Sequence, residues 1–326
     1  MKWIRFKMTA YIIRRLIQGV IVLFLMTLIV FFSMRLLPGD PLKIFMGQQD
    51  SSGAMGEEQL ESMRRYYGLD KPIMVQYFSW LGGIFRGNLG KSIYYRQDVG
   101  GLLKERFPIT LHLGITAWIL ATVVGVLLGV LAGIRRATWI DYVSTTIANI
   151  GITVPIFWLG ILLIYILGLK LKWLPIFGYT SPFDDFWMST KQIIMPIFCI
   201  AIPGMAYSAR QSRSAMLEVI QQDYIRTAWS KGLRERTVIM KHALKNSLIP
   251  VITLMGIGLG IVLGGSVLVE TVFAIPGIGS LLVTSVFAQD YVVVQSSFVV
   301  IAGLIILINL IVDISYGWLD PRIRYN

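Results

Sequence analysis

Apolar residues collect in six long runs along this chain, separated by short polar segments and by one polar segment of about 70 residues. The runs are Tyr11–Leu37, Pro108–Arg135, Val143–Leu169, Ile193–Ala209, Ser247–Val269 and Val292–Leu319. A helix needs about 20 apolar residues to cross a bilayer, so the pattern predicts six transmembrane helices. The fourth run is short and contains Pro196 and Pro203, so we expect a broken helix there.

Composition supports this interpretation, because 55% of the 326 residues are hydrophobic and only 15% are charged. A soluble domain of this size needs more charge to cover its surface. The chain is therefore expected to be an all-α integral membrane protein. Its single cysteine, Cys199, lies in an apolar run, which leaves no disulfide framework and no thiolate metal site.

The net charge of +12 follows the predicted topology. Lys and Arg are frequent in both termini, at Arg135 and Arg136, and in segment 209–247, whereas the alternate short loops contain only Lys170, Lys172 and Lys191. Cytoplasmic loops collect positive charge, so both termini and segment 209–247 are predicted to face the cytoplasm. This explanation makes nucleic-acid binding unnecessary.

Glycines recur at every fourth residue in two of the predicted spans. They are Gly125, Gly129 and Gly133 in the second span and Gly256, Gly260 and Gly264 in the fifth. Such faces let helix backbones approach closely in a membrane, so we predict that both faces pack against other helices.

Catalytic and cofactor motifs are missing from the sequence, and we predict no catalytic residue, no metal site and no cofactor in this chain. Gly82–Ser92 resembles a phosphate-binding loop, but Phe85 stands where that loop needs glycine. Ionisable residues are scarce within the spans, with Arg35 and Asp313 near helix ends. An ion-driven carrier usually needs such groups, so any transport energy is expected to come from another subunit.

The stretch from Asp223 to Pro250 is basic and prone to form helices. Asp223 is predicted to cap a helix that runs to Lys231, and Gly232 to end it. A second helix is predicted from Glu235 to Asn246, with Pro250 breaking the pattern. Two such helices could lie on the bilayer surface or dock in a groove of a cytoplasmic partner, and the small residues Ala228 and Gly232 favour docking.

The same stretch resembles the cytoplasmic Glu-Ala-Ala loop of ABC importer permeases. The three positions of that pattern are occupied by Arg226, Thr227 and Ala228, Gly232 follows after three residues, and Ile249-Pro250 closes the loop. Further segments are similar to the B-type permease subunit of the oligopeptide/dipeptide/nickel importer family. These are "RLLPGDP" after the first span, residues 67–93, 106–114 and 270–295, and "DPRIRY" at 320–325.

The resemblance implies the transmembrane domain of a type I ABC importer with six spans and cytoplasmic coupling helices. Residues 1–37 would form the tail and first span, 38–107 an extracytoplasmic segment, and 108–326 a five-span core with the coupling loop at 218–250. The residues implied to contact the ATPase are Asp223, Tyr224, Arg226, Thr227, Ala228, Lys231, Gly232 and Arg234. A Gly232→Trp substitution is accordingly predicted to abolish uptake while leaving membrane insertion intact.

The resemblance also implies partners and a location. The partners are a homologous second permease, two cytoplasmic ATPase subunits that bind ATP and Mg, and an extracytoplasmic substrate-binding protein, all working in a bacterial or archaeal plasma or inner membrane. Segments 38–107 and 270–291 would face the binding protein. The expected substrates are peptides, with nickel chelates, opines and glutathione as alternatives within the family and an ion-coupled secondary transporter as the rival function.

Overall fold

The computed structural model describes residues 2–36, 42 and 57–319, and these form helices with one antiparallel bridge between Lys91 and Asp98. The helices up to the basic loop are α1 (Lys2–Leu36), α2 (Glu57–Tyr67), α3 (Ile73–Phe85), α4 (Val99–Ile134), α5 (Trp139–Thr153), α6 (Ile156–Leu163, continued by a π-helix at Ile164–Lys170) and α7 (Phe186–Ile220). The remaining helices are α8 (Asp223–Ser230), α9 (Glu235–Thr237, continued by a π-helix at Val238–Ala243), α10 (Leu244–Val272), α11 (Ile278–Phe287) and α12 (Tyr291–Leu319).

The chain divides into two compact units. The first contains Met1–Ile109 and Pro276–Leu307, and the second contains Thr110–Ile275 and Ile308–Asn326. The sequence-based segments, with boundaries at residues 37 and 107, were defined by the expected membrane crossings and not by compact packing. They stay a prediction.

In the part of the chain that the structure describes, four helices are long and apolar enough to cross a membrane: Ile12–Leu36, Val99–Ile134, Phe186–Ile220 and Tyr291–Val312. A fifth crossing is possible if the pair Trp139–Thr153 and Ile156–Lys170 forms one broken span. The remaining predicted span falls on α10, a helix of 29 residues that contains several side chains outside the described part of the chain. A sixth crossing at α10 is consistent with the structure and stays a prediction.

The third and fourth spans differ from the predicted helices. The third is not one straight helix, because α5 and α6 meet at 102°. Proline disfavours helical backbone in the residue before it, and Val154, which precedes Pro155, is extended. The fourth is not short or broken, since α7 runs for 35 residues with Pro196 and Pro203 inside it. Neighbouring helices can compensate for the hydrogen bonds that these prolines remove.

In the second unit, α7 packs most extensively against α10 and α5, and glycines of α4 also lie against it. A Cβ atom on Gly125 would lie 2.6 Å from the carbonyl oxygen of Met205, and one on Gly133 would lie 2.8 Å from Cβ of Met216. A Cβ atom on Gly129 would collide with the carbonyl oxygen of Ala209. The helix backbones therefore approach so closely here that only glycine fits.

The second set of predicted packing glycines lies on α10. A Cβ atom on Gly256 would collide with Cγ1 of Val312, and Gly260 is buried. Gly264 lies outside the residues whose side-chain surroundings the structure describes. Gly256 thus sits where α10 meets the end of α12.

In the first unit, a cluster of Val99, Leu102, Leu103, Ile278, Leu281 and Val293 joins α4, α11 and α12. Beside it, the fully buried carboxylate of Asp290 accepts hydrogen bonds from the Ser92 hydroxyl at 2.5 Å and the Tyr94 amide at 3.0 Å. A second contact joins α1 to α3, where the hydroxyl groups of Thr27 and Tyr77 lie 2.9 Å apart. The contacts of Asp290 fix segment 86–98 beside the start of α12 in the same unit.

Candidate coupling site

The basic loop begins with α8, and its first helical residue is Asp223. The preceding residue, Gln222, is the N-cap, with extended backbone and no hydrogen bond from its side chain. The prediction that Asp223 caps the helix is therefore wrong by one residue. Its carboxylate lies in the first turn instead, where the helix dipole favours negative charge.

Gly232 ends α8 in the left-handed conformation, with φ +74°. The Gly232 amide donates to the carbonyl of Trp229 at 2.9 Å, and the Leu233 amide donates to that of Ala228 at 3.4 Å. These two bonds form a Schellman motif, which usually requires glycine because other residues are strained at positive φ. A Cβ atom on Gly232 would meet nothing within 4 Å, so the backbone conformation, and not crowding within the chain, explains the glycine.

The second helix of the loop is longer than predicted. It starts at Glu235, passes through the π-helix at Val238–Ala243 and continues without interruption into α10. The predicted end at Asn246 and the predicted break at Pro250 are wrong, since helical backbone extends through both residues. Proline removes one backbone donor, and a long membrane helix can tolerate that loss.

One face of the loop packs within the protein. Ile225, Val238 and Ala243 are fully buried with Met216, and Ala228 is 8% exposed in the same cluster. This cluster attaches α8 to the end of α7 and to the helix that leads into α10. Ala228 was expected to pack into the ATPase, but in this structure it contacts its own chain. Its small size allows α8 to pack closely inside the loop.

The opposite face of the loop is exposed. Its side chains include Tyr224, Arg226, Thr227, Trp229, Lys231, Leu233 and Arg234. Arg226 has an ion pair with Asp223 at 3.8 Å, but both side chains are exposed, so the pair contributes little to stability. Trp229 and Leu233 are each 41% exposed and add apolar surface beside the cations. The structure thus brings most of the predicted contact residues onto one basic, partly apolar surface, which we call the coupling surface.

A buried ion pair lies in the same unit and was not found from the sequence. Asp141, only 4% exposed, accepts hydrogen bonds from Nε and Nη2 of Arg213 at 2.6 and 2.9 Å. It also accepts one from the Ala137 amide at 3.0 Å, which holds the turn before α5. The pair therefore connects α5 to α7. The sequence shows a carboxylate and a guanidinium near the ends of two apolar runs, but nothing in it indicates that residues 72 positions apart meet.

Other polar residues of the second unit lie within contacts that hold the fold. His112 lies with Nδ1 at 2.9 Å from the Tyr179 hydroxyl, and burial raises the pKa of Tyr179. Glu270 is fully buried and accepts a hydrogen bond from Thr110 at 2.8 Å. Within the ranges that the structure describes, no group of three His, Cys, Asp or Glu side chains could hold a metal ion. Asp313 lies outside the described side chains.

Comparison with known proteins gives matches along nearly the whole chain. The family model described as "Binding-protein-dependent transport system inner membrane component" matches residues 125–325, and the model of its N-terminal region matches residues 8–114. The "Probable peptide ABC transporter permease protein y4tP" of Sinorhizobium fredii is 39% identical over 318 residues, covering 98% of this chain and all of the relative. A di/tripeptide transport system permease protein of Pseudomonas aeruginosa is 38% identical over 338 residues, covering 98% and 99%.

A solved structure shares the fold. A chain of the MetNI methionine ABC transporter in an inward-facing conformation matches with a TM-score of 0.55 and 19% sequence identity. The match covers 67% of the present chain and 96% of the other. The helices of the present chain therefore adopt the fold of an ABC importer transmembrane subunit.

Proposed function

The chain belongs to the family of binding-protein-dependent transport system inner membrane components, and from this premise we propose that it forms the membrane path for peptides in an ATP-driven importer. The match of the family models to residues 8–114 and 125–325 is the observation that carries the proposal. Relatives named as peptide permeases, from Sinorhizobium fredii and Pseudomonas aeruginosa, support peptides as the substrate. Nickel chelates, opines and glutathione are the alternatives.

A permease of this family is a transport subunit, and ATP hydrolysis belongs to its partner ATPases. The proposed assembly contains this chain, a homologous second permease, two ATPase subunits with ATP and Mg, and an extracytoplasmic binding protein. The distribution of Lys and Arg supports an orientation with both termini and the coupling surface in the cytoplasm of a bacterial or archaeal cell.

The coupling surface is the proposed contact with an ATPase. Arg226, Lys231 and Arg234 provide cations for an acidic rim, and Trp229 and Leu233 provide apolar contacts for a groove. Asp223, Tyr224, Thr227 and Gly232 lie on the same exposed segment. Because the buried cluster around Ile225 attaches α8 to α7 and to the helix leading into α10, a push on this surface would move those helices together.

The rival function is an ion-coupled secondary transporter. Such a carrier needs buried acidic side chains to bind its driving ion, and the structure shows buried acids such as Glu270. The two functions differ in their energy source. Purified complex in proteoliposomes should accumulate a labelled dipeptide only when ATP and the binding protein are present. Accumulation driven by a proton or sodium gradient without ATP would overturn the proposal.

A double substitution tests the coupling surface. Arg226→Ala with Arg234→Ala should lower co-purification of the ATPase and ATP-driven uptake at least tenfold, because two exposed cations leave the interface. Folding should not change, since the Arg226 side chain is 70% exposed. Arg86→Ala, an exposed cation of the first unit, is the matched control and should retain both. Wild-type co-purification in the double variant would reject this surface as the ATPase contact.

A further inference from the structure

The first unit contains a cavity of about 380 Å³ that the proposed transport function does not use. Its walls come from the end of α1, from α2 and α3, from segment 86–98 and from the start of α12. Gly83, Asn88, Gly90 and Lys91, all from the stretch that resembles a phosphate-binding loop, line one side of it. Small-molecule sites commonly have volumes of about 300–1,000 Å³, so the cavity is large enough for a small ligand.

Among the described residues, the charged side chains that line the cavity are all cationic. They are Arg35, Lys71 and Lys91, and the described lining contains no Asp or Glu. Arg35 donates to Oε1 of Gln76 at 2.7 Å and to the carbonyl of Phe31 at 3.1 Å, with its guanidinium carbon 3.4 Å from the centre of the Phe31 ring. These contacts hold the guanidinium in place without neutralising its charge.

Lys91 is held by a tyrosine rather than by a carboxylate. Its Nζ atom donates to the Tyr66 hydroxyl at 3.1 Å, and this hydrogen bond raises the pKa of Lys91. The lysine is therefore fully protonated at neutral pH. Two positioned cations facing one cavity, with no carboxylate among the described residues of its wall, favour an anionic ligand.

Two neutral donors in the cavity wall have no hydrogen-bond partner among the described residues. Gln295 is 3% exposed and its Nε2 atom is unsatisfied, and the indole Nε1 of Trp80 is buried and unsatisfied as well. Both residues line the cavity. Leaving buried donors unpaired costs free energy. Both nitrogens are covered by the protein in this structure, so a ligand in the cavity would accept hydrogen bonds from them after the two side chains turn toward it.

Aromatic walls indicate that this ligand has an organic body. Tyr66, Tyr67, Trp80 and Tyr291 all line the cavity. Inorganic phosphate would pair with the cations but would not pack against these rings. A carboxylate attached to a small apolar body would do both: its charge would pair with the cations and its apolar part would pack against the rings.

We propose that this cavity binds a short peptide through its C-terminal carboxylate, with Arg35 and Lys91 as the cationic partners and with Gln295 and Trp80 as neutral donors once their side chains turn toward the cavity. The choice of a peptide rests on the proposed function, but recognition of a carboxylate does not. The site would belong to this chain itself, in addition to the peptide site of a separate binding protein.

Binding to the purified full chain in lipid nanodiscs tests the proposal without any transport step. Isothermal titration would compare Ala-Ala, its C-terminal amide, acetate and inorganic phosphate. We expect saturable binding of Ala-Ala, at least tenfold weaker binding of the amide, and weak competition by acetate. Quenching of tryptophan fluorescence by Ala-Ala should disappear in Trp80→Phe, because Trp80 lies in the cavity wall.

Two variants locate the site. Lys91→Gln and Gln295→Leu should each weaken Ala-Ala binding at least fivefold. Gln295→Leu should not lower the unfolding temperature, since it removes an unsatisfied buried amide. Lys104→Gln, an exposed cation of the same unit outside the cavity, is the matched control and should bind normally.

The possible results separate this site from the transport function. Equal affinity for Ala-Ala and its amide, or binding unaffected by both variants, would overturn the carboxylate site. Saturable binding of phosphate with none of Ala-Ala would replace it with an inorganic anion site. If ATP-driven dipeptide uptake fails while Ala-Ala still binds in the cavity, the proposed function is wrong and the site stands.

Discussion

The ion pair between Asp141 and Arg213 should be a major stabilising contact of the second unit. We propose to measure it with Asp141→Ala, Arg213→Ala and the double variant. Asp141→Ala removes both hydrogen bonds to the guanidinium and the acceptor for the Ala137 amide. Arg213→Ala removes the cation and leaves a carboxylate that is only 4% exposed.

The expected magnitude follows from burial. Removing one partner of a fully buried pair costs about 3–5 kcal/mol. The Arg213 side chain keeps 31% exposure and can reach water, so we expect about 2–3 kcal/mol for Asp141→Ala, below that range. Arg213→Ala should cost about 3 kcal/mol, because the carboxylate that loses its cation is the more buried group and keeps, among the described residues, only neutral donors, the Ala137 amide and the Thr145 hydroxyl. The coupling energy of the double-mutant cycle should be about 1–3 kcal/mol.

Thermal or denaturant unfolding of the purified chain in detergent measures these differences. The control is the i,i+4 pair between Arg65 and Glu61, which is longer, at 3.3 Å, and has side chains that are 73% and 67% exposed. Its cycle should give no more than about 0.5 kcal/mol. A coupling energy below about 0.5 kcal/mol for Asp141 and Arg213 would refute the assignment of this pair as a buried, stabilising contact.

Two further substitutions test the backbone geometry. Gly129→Ala should lower the free energy of unfolding by about 2 kcal/mol, since the new Cβ would collide with the Ala209 carbonyl. Its control is Gly101→Ala on the same helix, which faces open space and should be neutral or slightly stabilising. Equal effects of the two substitutions in an unfolding assay would contradict the close approach of α4 and α7. Gly232→Val should cost about 1–2 kcal/mol because φ is +74°, and Gly232→Asn should cost less because asparagine tolerates this conformation. If the two variants are equally stable in the same assay, backbone strain does not explain this glycine.

The result at Gly232 also bears on the predicted effect of Gly232→Trp. That substitution combines backbone strain with added bulk, so loss of uptake alone would not identify a docking site. Comparing uptake in Gly232→Val and Gly232→Trp separates the two causes, because both side chains are strained at this φ and only Trp adds a large ring. If both abolish uptake, backbone strain is sufficient; if only Trp does so, a partner approaches this position closely.

Local sequence patterns predicted some features that the structure contains. Long apolar runs predicted membrane-spanning helices, since the length of an apolar run alone decides whether it can cross a bilayer. The stop at Gly232 was also predicted, because the end of a helix depends on the conformation of a few adjacent residues. Proline was a poorer guide. At Pro155 the chain bends by 102°, whereas α7 continues through Pro196 and Pro203.

The sequence by itself determined the class of protein, the apolar segments and the family resemblance, because each depends on the order of residues along the chain. Only the tertiary structure decided which side chains meet. It turned Ala228 into the interior of the loop, paired Asp141 with Arg213 and brought Arg35, Lys91 and Gln295 to one cavity. These residues lie far apart in sequence, and whether a polar side chain is buried and paired depends on neighbours that only the folded chain provides.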